Sequence, residues 1–180
     1  MTPEIKKLNF EYFVSRLLEW YGEVYCDQSN DLSKIKVLKL LFFTSAVGAN
    51  TESDGLLDIF DDFYAMPYGP VESEIYDSLG DLLRYRITKE STTSKNNIDF
   101  NNDSIEKARI DEAIEKLKRV NPQLIKMNPF DLVELSHMWS CWSMVYDYAL
   151  NNNQYSHKIP NELIKAENKI FTLNQVSYEF

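Results

Sequence analysis

The sequence predicts a mainly α, compact single-domain helical bundle over residues 1–180, with short extended segments or a β-hairpin near 84–100. Three observations predict it. Apolar residues recur at three- and four-residue spacing through most of the chain, the period of helices that bury one face. Hydrophobic residues make up 44% of the 180 and aromatics 13%, enough to fill a core and too many for a disordered chain. No linker or internal repeat divides the chain.

The first helix is placed over about 10–25, with Phe10, Phe13, Val14, Leu17, Leu18 and Tyr21 on its buried face. A polar turn follows, and Asp31 or Ser33 caps a second helix running to about 47. Its stripe is Ile35, Leu38, Leu41, Phe42 and Ala46, and Lys34, Lys36 and Lys39 read as its solvated start. Residues 50–67 show no clear period and fit either a short helix and an extended piece or an irregular segment. Pro67 and Pro70 hold Met66 and Gly69 extended, and Gly69 allows a sharp corner. Pro70 then fits the first turn of a third helix, with Glu72 and Glu74 at its positive end. Val71, Ile75, Tyr76, Leu79, Leu82 and Leu83 supply that helix's apolar face.

Two extended pieces, "YRIT" and "NIDF", flank the polar loop "KESTTSKNN". A helix over 104–120 is marked by Ile105, Ala108, Ile110, Ala113, Ile114 and Leu117. The next helix has the clearest start: Asn128 at the N-cap, Pro129 at the first position, Asp131 two residues on. It is expected to run unbroken to about 150, with Phe130, Val133, His137 and Cys141 on one buried stripe. Leu132, Leu135, Trp139, Trp142 and Tyr146 lie beside that stripe. Pro160 opens a last short helix through about 171.

Charge is unevenly spread. Between Lys39 and Arg84 there is no basic residue, while Glu52, Asp54, Asp58, Asp61, Asp62, Glu72, Glu74, Asp77 and Asp81 all lie there. These nine acids equal the net charge of −9, so the other 19 acids balance the 19 bases. Such a band repels a nucleic-acid backbone and fits either a basic partner or an ordinary solvated face. Two cysteines, Cys26 and Cys141, argue against a disulfide scaffold and for a reducing, cytoplasmic setting. No apolar run approaches the roughly 18 residues of a membrane span. Lys6 and Lys7 precede no apolar stretch of a secretory signal.

No phosphate-cradling glycine loop or paired-cysteine motif occurs. His137 and Cys141 stand four apart and could share a helix face, but two ligands do not make a metal or thiol site, and His137 reads as a packed core histidine. Asp58, Asp61 and Asp62 would share a helical face, yet lack the alternating ligands, central Gly and terminal Glu of a calcium loop. Catalytic, cofactor and metal sites are therefore expected to be absent. Phe63, Tyr64 and Tyr68 read as half core and half edge, where a tyrosine buries its ring and keeps a polar contact.

Three blocks, "KLLFFTSAV" (39–47), "FYAMPYGPVESEIYDSL" (63–79) and "LVELSHMWSCW" (132–142), resemble the Panacea domain family of SocA-like, phage-associated antitoxins over about 33–150. Lys39 and Leu40 fall on the first block, and Tyr68, Gly69, Pro70 and Val71 on the second, followed by Ile75 and Tyr76. Ser136, His137 and Trp142 fall on the third. Met66–Pro67 replaces the tryptophan-containing pair usual before the corner. The resemblance implies a mainly helical, non-enzymatic protein that binds and neutralises a cognate toxin. An adaptor that presents a client to a protease, or a phage-related regulator, is the alternative. A small hydrolase or transferase would need a nucleophile and base that the sequence does not offer. Candidate partner contacts are Asp58, Asp61, Asp62, Tyr64, Tyr68, Gly69, Pro70, Val71 and Tyr76. Lys39, Ser136, His137, Trp139 and Trp142 are expected to organise the scaffold, with the segments before 33 and after 150 packed on it.

Overall fold

Five of the α-helices among the described residues have starts set by capping side chains. In the computed structural model, which describes residues 1–25, 29–96, 100 and 104–173, the Thr2 hydroxyl accepts the Ile5 N–H and Pro3 occupies the first turn. Helix α1 (Pro3–Val24) therefore begins about two turns before its apolar period becomes legible, burying Phe10, Phe13, Val14, Leu17 and Trp20. Ser33 caps α2 (Lys34–Val47) by accepting the Lys36 N–H. Every residue from 36 to 47 is buried, as in a helix surrounded on all sides. Lys36 and Lys39, expected at a solvated start, are both inside.

Two tiny strands, β1 (Ala49–Asn50) and β2 (Ser53–Asp54), pair before an irregular stretch. The corner is a β-hairpin: β3 (Phe63–Met66) pairs antiparallel with β4 (Gly69–Glu72), Met66 opposite Gly69. Pro70 thus lies in a strand and not in the first turn of a helix. Gly69, at φ +89°, turns the chain back along itself, and β4 is an edge strand, where a residue without an N–H is tolerated. Helix α3 (Ser73–Ser78) starts three residues later than expected. Its N-cap is Glu72, whose carboxylate accepts the Ile75 N–H at 2.7 Å.

The expected hairpin near 84–100 is present as β5 (Tyr85–Ile87) and β6 (Thr92–Ser94). Its second strand comes from the polar run and not from "NIDF", of which 97–99 lie outside the described residues. Helix α4 (Ile105–Val120) matches the helix expected over 104–120, with Ser104 as its N-cap.

The long helix predicted over 129–150 is two helices, α5 (Pro129–His137) and α6 (Ser140–Asn151). At Trp139 the backbone turns extended, φ −83° and ψ 122°. The reason is tertiary. The fully buried indole packs edge-on against Phe42 (4.9 Å between ring centres) and Phe171 (5.6 Å), and its Nε1 donates to the Ile170 carbonyl at 2.9 Å. The Glu167 carboxylate accepts the Cys141 N–H at 2.6 Å and so satisfies a free amide in the first turn of α6.

Strand β7 (His157–Lys158), unforeseen, pairs with β3, giving the order β4-β3-β7. Helix α7 (Asn161–Ala166) ends before Phe171, whose ring is buried against the Trp139 indole. The result is a mainly helical protein whose core surrounds α2.

Candidate functional site

The three sequence blocks, far apart along the chain, meet at the tip of the β3–β4 hairpin. Lys39, from the middle of α2, donates from Nζ to the Pro70 carbonyl at 2.6 Å and is only 1% exposed. Gly69 lies over it. A Cβ at that position would sit 3.2 Å from Lys39 Cε and Nζ and well inside contact distance of Ser136 Oγ. Ser136 is buried on α5, with its hydroxyl donating to the Val133 carbonyl.

His137 and Trp142 hold the other side of the tip. The His137 imidazole stacks on the Trp142 indole, 3.9 Å between ring centres and 11° from parallel. Trp142 in turn stacks on Tyr146 and donates from Nε1 to the Met66 carbonyl at 2.9 Å. The break after α5 therefore lets two helices grip the hairpin.

Beside this junction lies a cleft of about 650 Å³. Leu38 and Lys34 of α2, Tyr68 and Val71 of the hairpin, Tyr76 of α3 and Phe130 of α5 line it. Tyr68 is 59% exposed and Phe130 62%, so the rim presents large rings to solvent. The sequence reading put Phe130 on a buried stripe. It occupies the first turn of α5, where the helix projects past the core, and faces the cleft instead. Lys34 Nζ sits 3.8 Å above the centre of the Tyr76 ring. Of the remaining candidates at the corner, Gly69, Pro70 and Val71 are buried and Tyr64 is half-buried in β3.

Electrostatics set Lys39 apart. Burial pulls its pKa from 10.5 down to about 7, and among the described residues no carboxylate pairs with it. Two other buried lysines have carboxylate partners. Lys36 reaches Asp31 at 2.7 Å. Lys6 bonds Asp61 at 2.6 Å, Glu72 at 2.9 Å and Glu74. Burial opposes the Lys6 charge, but the three carboxylates outweigh it and raise its pKa, while burial raises that of Glu72. Asp61, Glu72 and Glu74 bring oxygens close enough to share a metal ion, yet the Lys6 ammonium already bonds all three.

The acidic band is largely neutralised within the chain. Arg109 forks onto Asp58, Lys158 meets Asp62 at 2.9 Å, and Lys165 meets Asp54 at 2.8 Å. With the Lys6 cluster, six of the nine acids are paired, each with a cation from outside the band. Asp58, Asp61 and Asp62 are among them. Burial pushes the Cys141 thiol pKa far up, with Glu167 adding to it, the reverse of what a thiolate nucleophile needs. The break at Trp139 also removes the continuous helical register that would have set His137 and Cys141 on one face.

Residues 37–143 match the family described as antitoxin SocA-like, Panacea domain. The chain belongs to this family. The matched span opens just before Lys39 and closes just after Trp142, so it contains Lys39, Gly69, Pro70, Ser136, His137 and Trp142 of the junction around the hairpin tip. No curated protein and no solved structure matches the chain. In this Panacea domain no helix among the described residues is long and apolar enough to cross a membrane.

Sequence reasoning found the corner and missed the cleft. A cleft is made by elements distant in sequence, and its rim residues Lys34 and Phe130 carry no local mark. The one available signal was three lysines at 34, 36 and 39, a spacing that cannot leave all of them on one solvated face.

Proposed function

We propose that this Panacea domain is a non-enzymatic antitoxin that neutralises a cognate toxin by direct contact, with the cleft beside the β3–β4 hairpin as the docking surface. One observation carries the reading: residues within the matched span build the junction from which Tyr68, Tyr76 and Phe130 project, three aromatics exposed around one apolar cleft. Exposed aromatics on a rigid support are the usual anchors of protein interfaces. The hairpin is such a support, being held by Lys39, Trp142 and the Glu72 cap. The acidic band contributes less than its charge implies, because its carboxylates are mostly occupied.

The test is co-expression with the product of the neighbouring gene, scored for rescue of growth, and titration of the two purified proteins. A Tyr68→Ala, Phe130→Ala double variant keeps its fold, since both rings are exposed, and should lose about 30-fold or more in affinity together with rescue. Full rescue by the folded variant would move the docking surface elsewhere. A toxin that disappears from the cell, and is not merely silenced, would identify the protease-adaptor mode.

A further inference from the structure

The lining of the cleft contains Lys34, Lys39 and Lys89 and no acidic residue, although the chain as a whole carries a net charge of −9. Lys34, half-buried, and Lys89, exposed, stand at the rim, where water solvates them. Lys39 does not have that option. It is almost completely buried, lines the same cleft, and has one hydrogen-bond partner among the described residues, the Pro70 carbonyl. An ammonium has three donors, and burying one without a carboxylate is unfavourable. Lys6 and Lys36 show what this fold does elsewhere with a buried lysine: it supplies acids.

We propose that the cleft accepts an apolar segment of the partner protein bearing one acidic side chain, whose carboxylate becomes the counter-ion that Lys39 lacks among the described residues. The inference rests on the cleft being the docking surface and adds what the occupant must contain. The apolar lining and exposed rings take the aliphatic or aromatic part of the segment. The carboxylate completes a charge-assisted pair in a site that excludes water, where such a pair discriminates most sharply. Gly69 lets the hairpin backbone pack closely over Lys39, since a Cβ there would sit 3.2 Å from its Cε and Nζ.

Because Lys39 enters the complex as an ammonium and is held near pKa 7 in the free protein, binding should take up a proton above neutrality. The titratable groups facing it are few. His137 on α5 is coupled to it, with Glu134 beyond, and Lys34, Lys89, Tyr68 and Tyr76 share the cleft.

The experiment needs no identified toxin. The full chain is titrated with an N-acetylated, C-amidated hexapeptide of Leu and Phe carrying one central Glu, and with the same peptide carrying Gln. Isothermal titration at pH 6.5 and 8.5 is run in two buffers of different ionisation enthalpy, and amide shifts locate the peptide. The expected result is about tenfold or greater preference for Glu at pH 6.5. At pH 8.5 the Glu peptide should take up close to one proton, and the Gln peptide none. Uptake should survive His137→Gln and vanish in Lys39→Met along with the preference for Glu.

Equal binding of the two peptides in the cleft would overturn the counter-ion role while leaving cleft docking intact. Absence of binding by either, or shifts mapping elsewhere, would overturn the inference together with the cleft. Proton uptake in the unaltered chain is decisive by itself, so a Lys39→Met variant that failed to fold would not shelter the proposal.

Discussion

Replacing Gly69 by Ala tests the junction at its tightest point. The new Cβ would overlap Ser136 Oγ and crowd Lys39 at 3.2 Å, and the backbone there has φ +89°, which an L side chain rarely adopts. The left-handed strain costs about 1–2 kcal/mol. Overlap with a fixed neighbour costs about 1–3 kcal/mol more, because Ser136 Oγ is tied to the Val133 carbonyl and cannot swing away without losing that bond. Gly69→Ala should therefore destabilise the fold by about 2–5 kcal/mol. Urea denaturation followed by circular dichroism reads this as a lower midpoint at unchanged slope. A double-mutant cycle with Ser136→Ala separates the two contributions. Ser136→Ala alone should cost about 1 kcal/mol for its lost hydrogen bond. The double variant should recover the overlap, about 1–3 kcal/mol, but not the backbone strain. A loss below about 1 kcal/mol in Gly69→Ala, or a coupling near zero, would refute the packing of these two residues.

Three further outcomes follow from the charges and rings. Lys39 has a folded pKa depressed to about 7, so the unfolded chain binds the extra proton between about 7 and 10 and the stability penalty is relieved as pH rises through that range. Lys39→Met should accordingly stabilise the protein most near pH 6, on the order of 4 kcal/mol at most, and least near pH 10. Thermal melting across that range would contradict this if the two curves ran parallel. Lys6→Met strands Glu72, which has no solvent exposure, among like charges and should cost about 3–5 kcal/mol at pH 7. Part of that loss should return below about pH 5, where carboxylates take up protons; a loss independent of pH would mean that Lys6 acts through packing alone. His137→Ala removes the stack on Trp142 and should lower stability by about 1 kcal/mol without any partner present; an unchanged melting temperature would show that the ring carries no structural load.

Where the outcome depended on neighbours within one or two helical turns, the sequence was sufficient. Asn128 caps the helix it was expected to cap, and of Asp31 and Ser33 it is Ser33 that caps α2, because a cap is a bond between a side chain and an amide two or three residues on. The apolar period of α4 placed that helix correctly for the same reason, and three short blocks were enough to name the family.

Only the tertiary structure decided the rest. Whether Pro70 began a helix or lay in a strand depended on strand β3 being there to pair with. The helix after Asn128 breaks because burying the Trp139 ring against Phe42 and Phe171 outweighs continuing the local hydrogen-bond ladder. The acidic band finds its counter-ions 51 to 111 residues away, at separations that no local pattern reports. Lys39 is the sharpest case. In sequence it is one more lysine on a helix, and only the packing of the hairpin and α5 around it takes its charge out of water and leaves it, among the described residues, a carbonyl and no carboxylate. Local spacing fixes which residues can lie on a face; what that face meets is settled by chain segments that local spacing does not see.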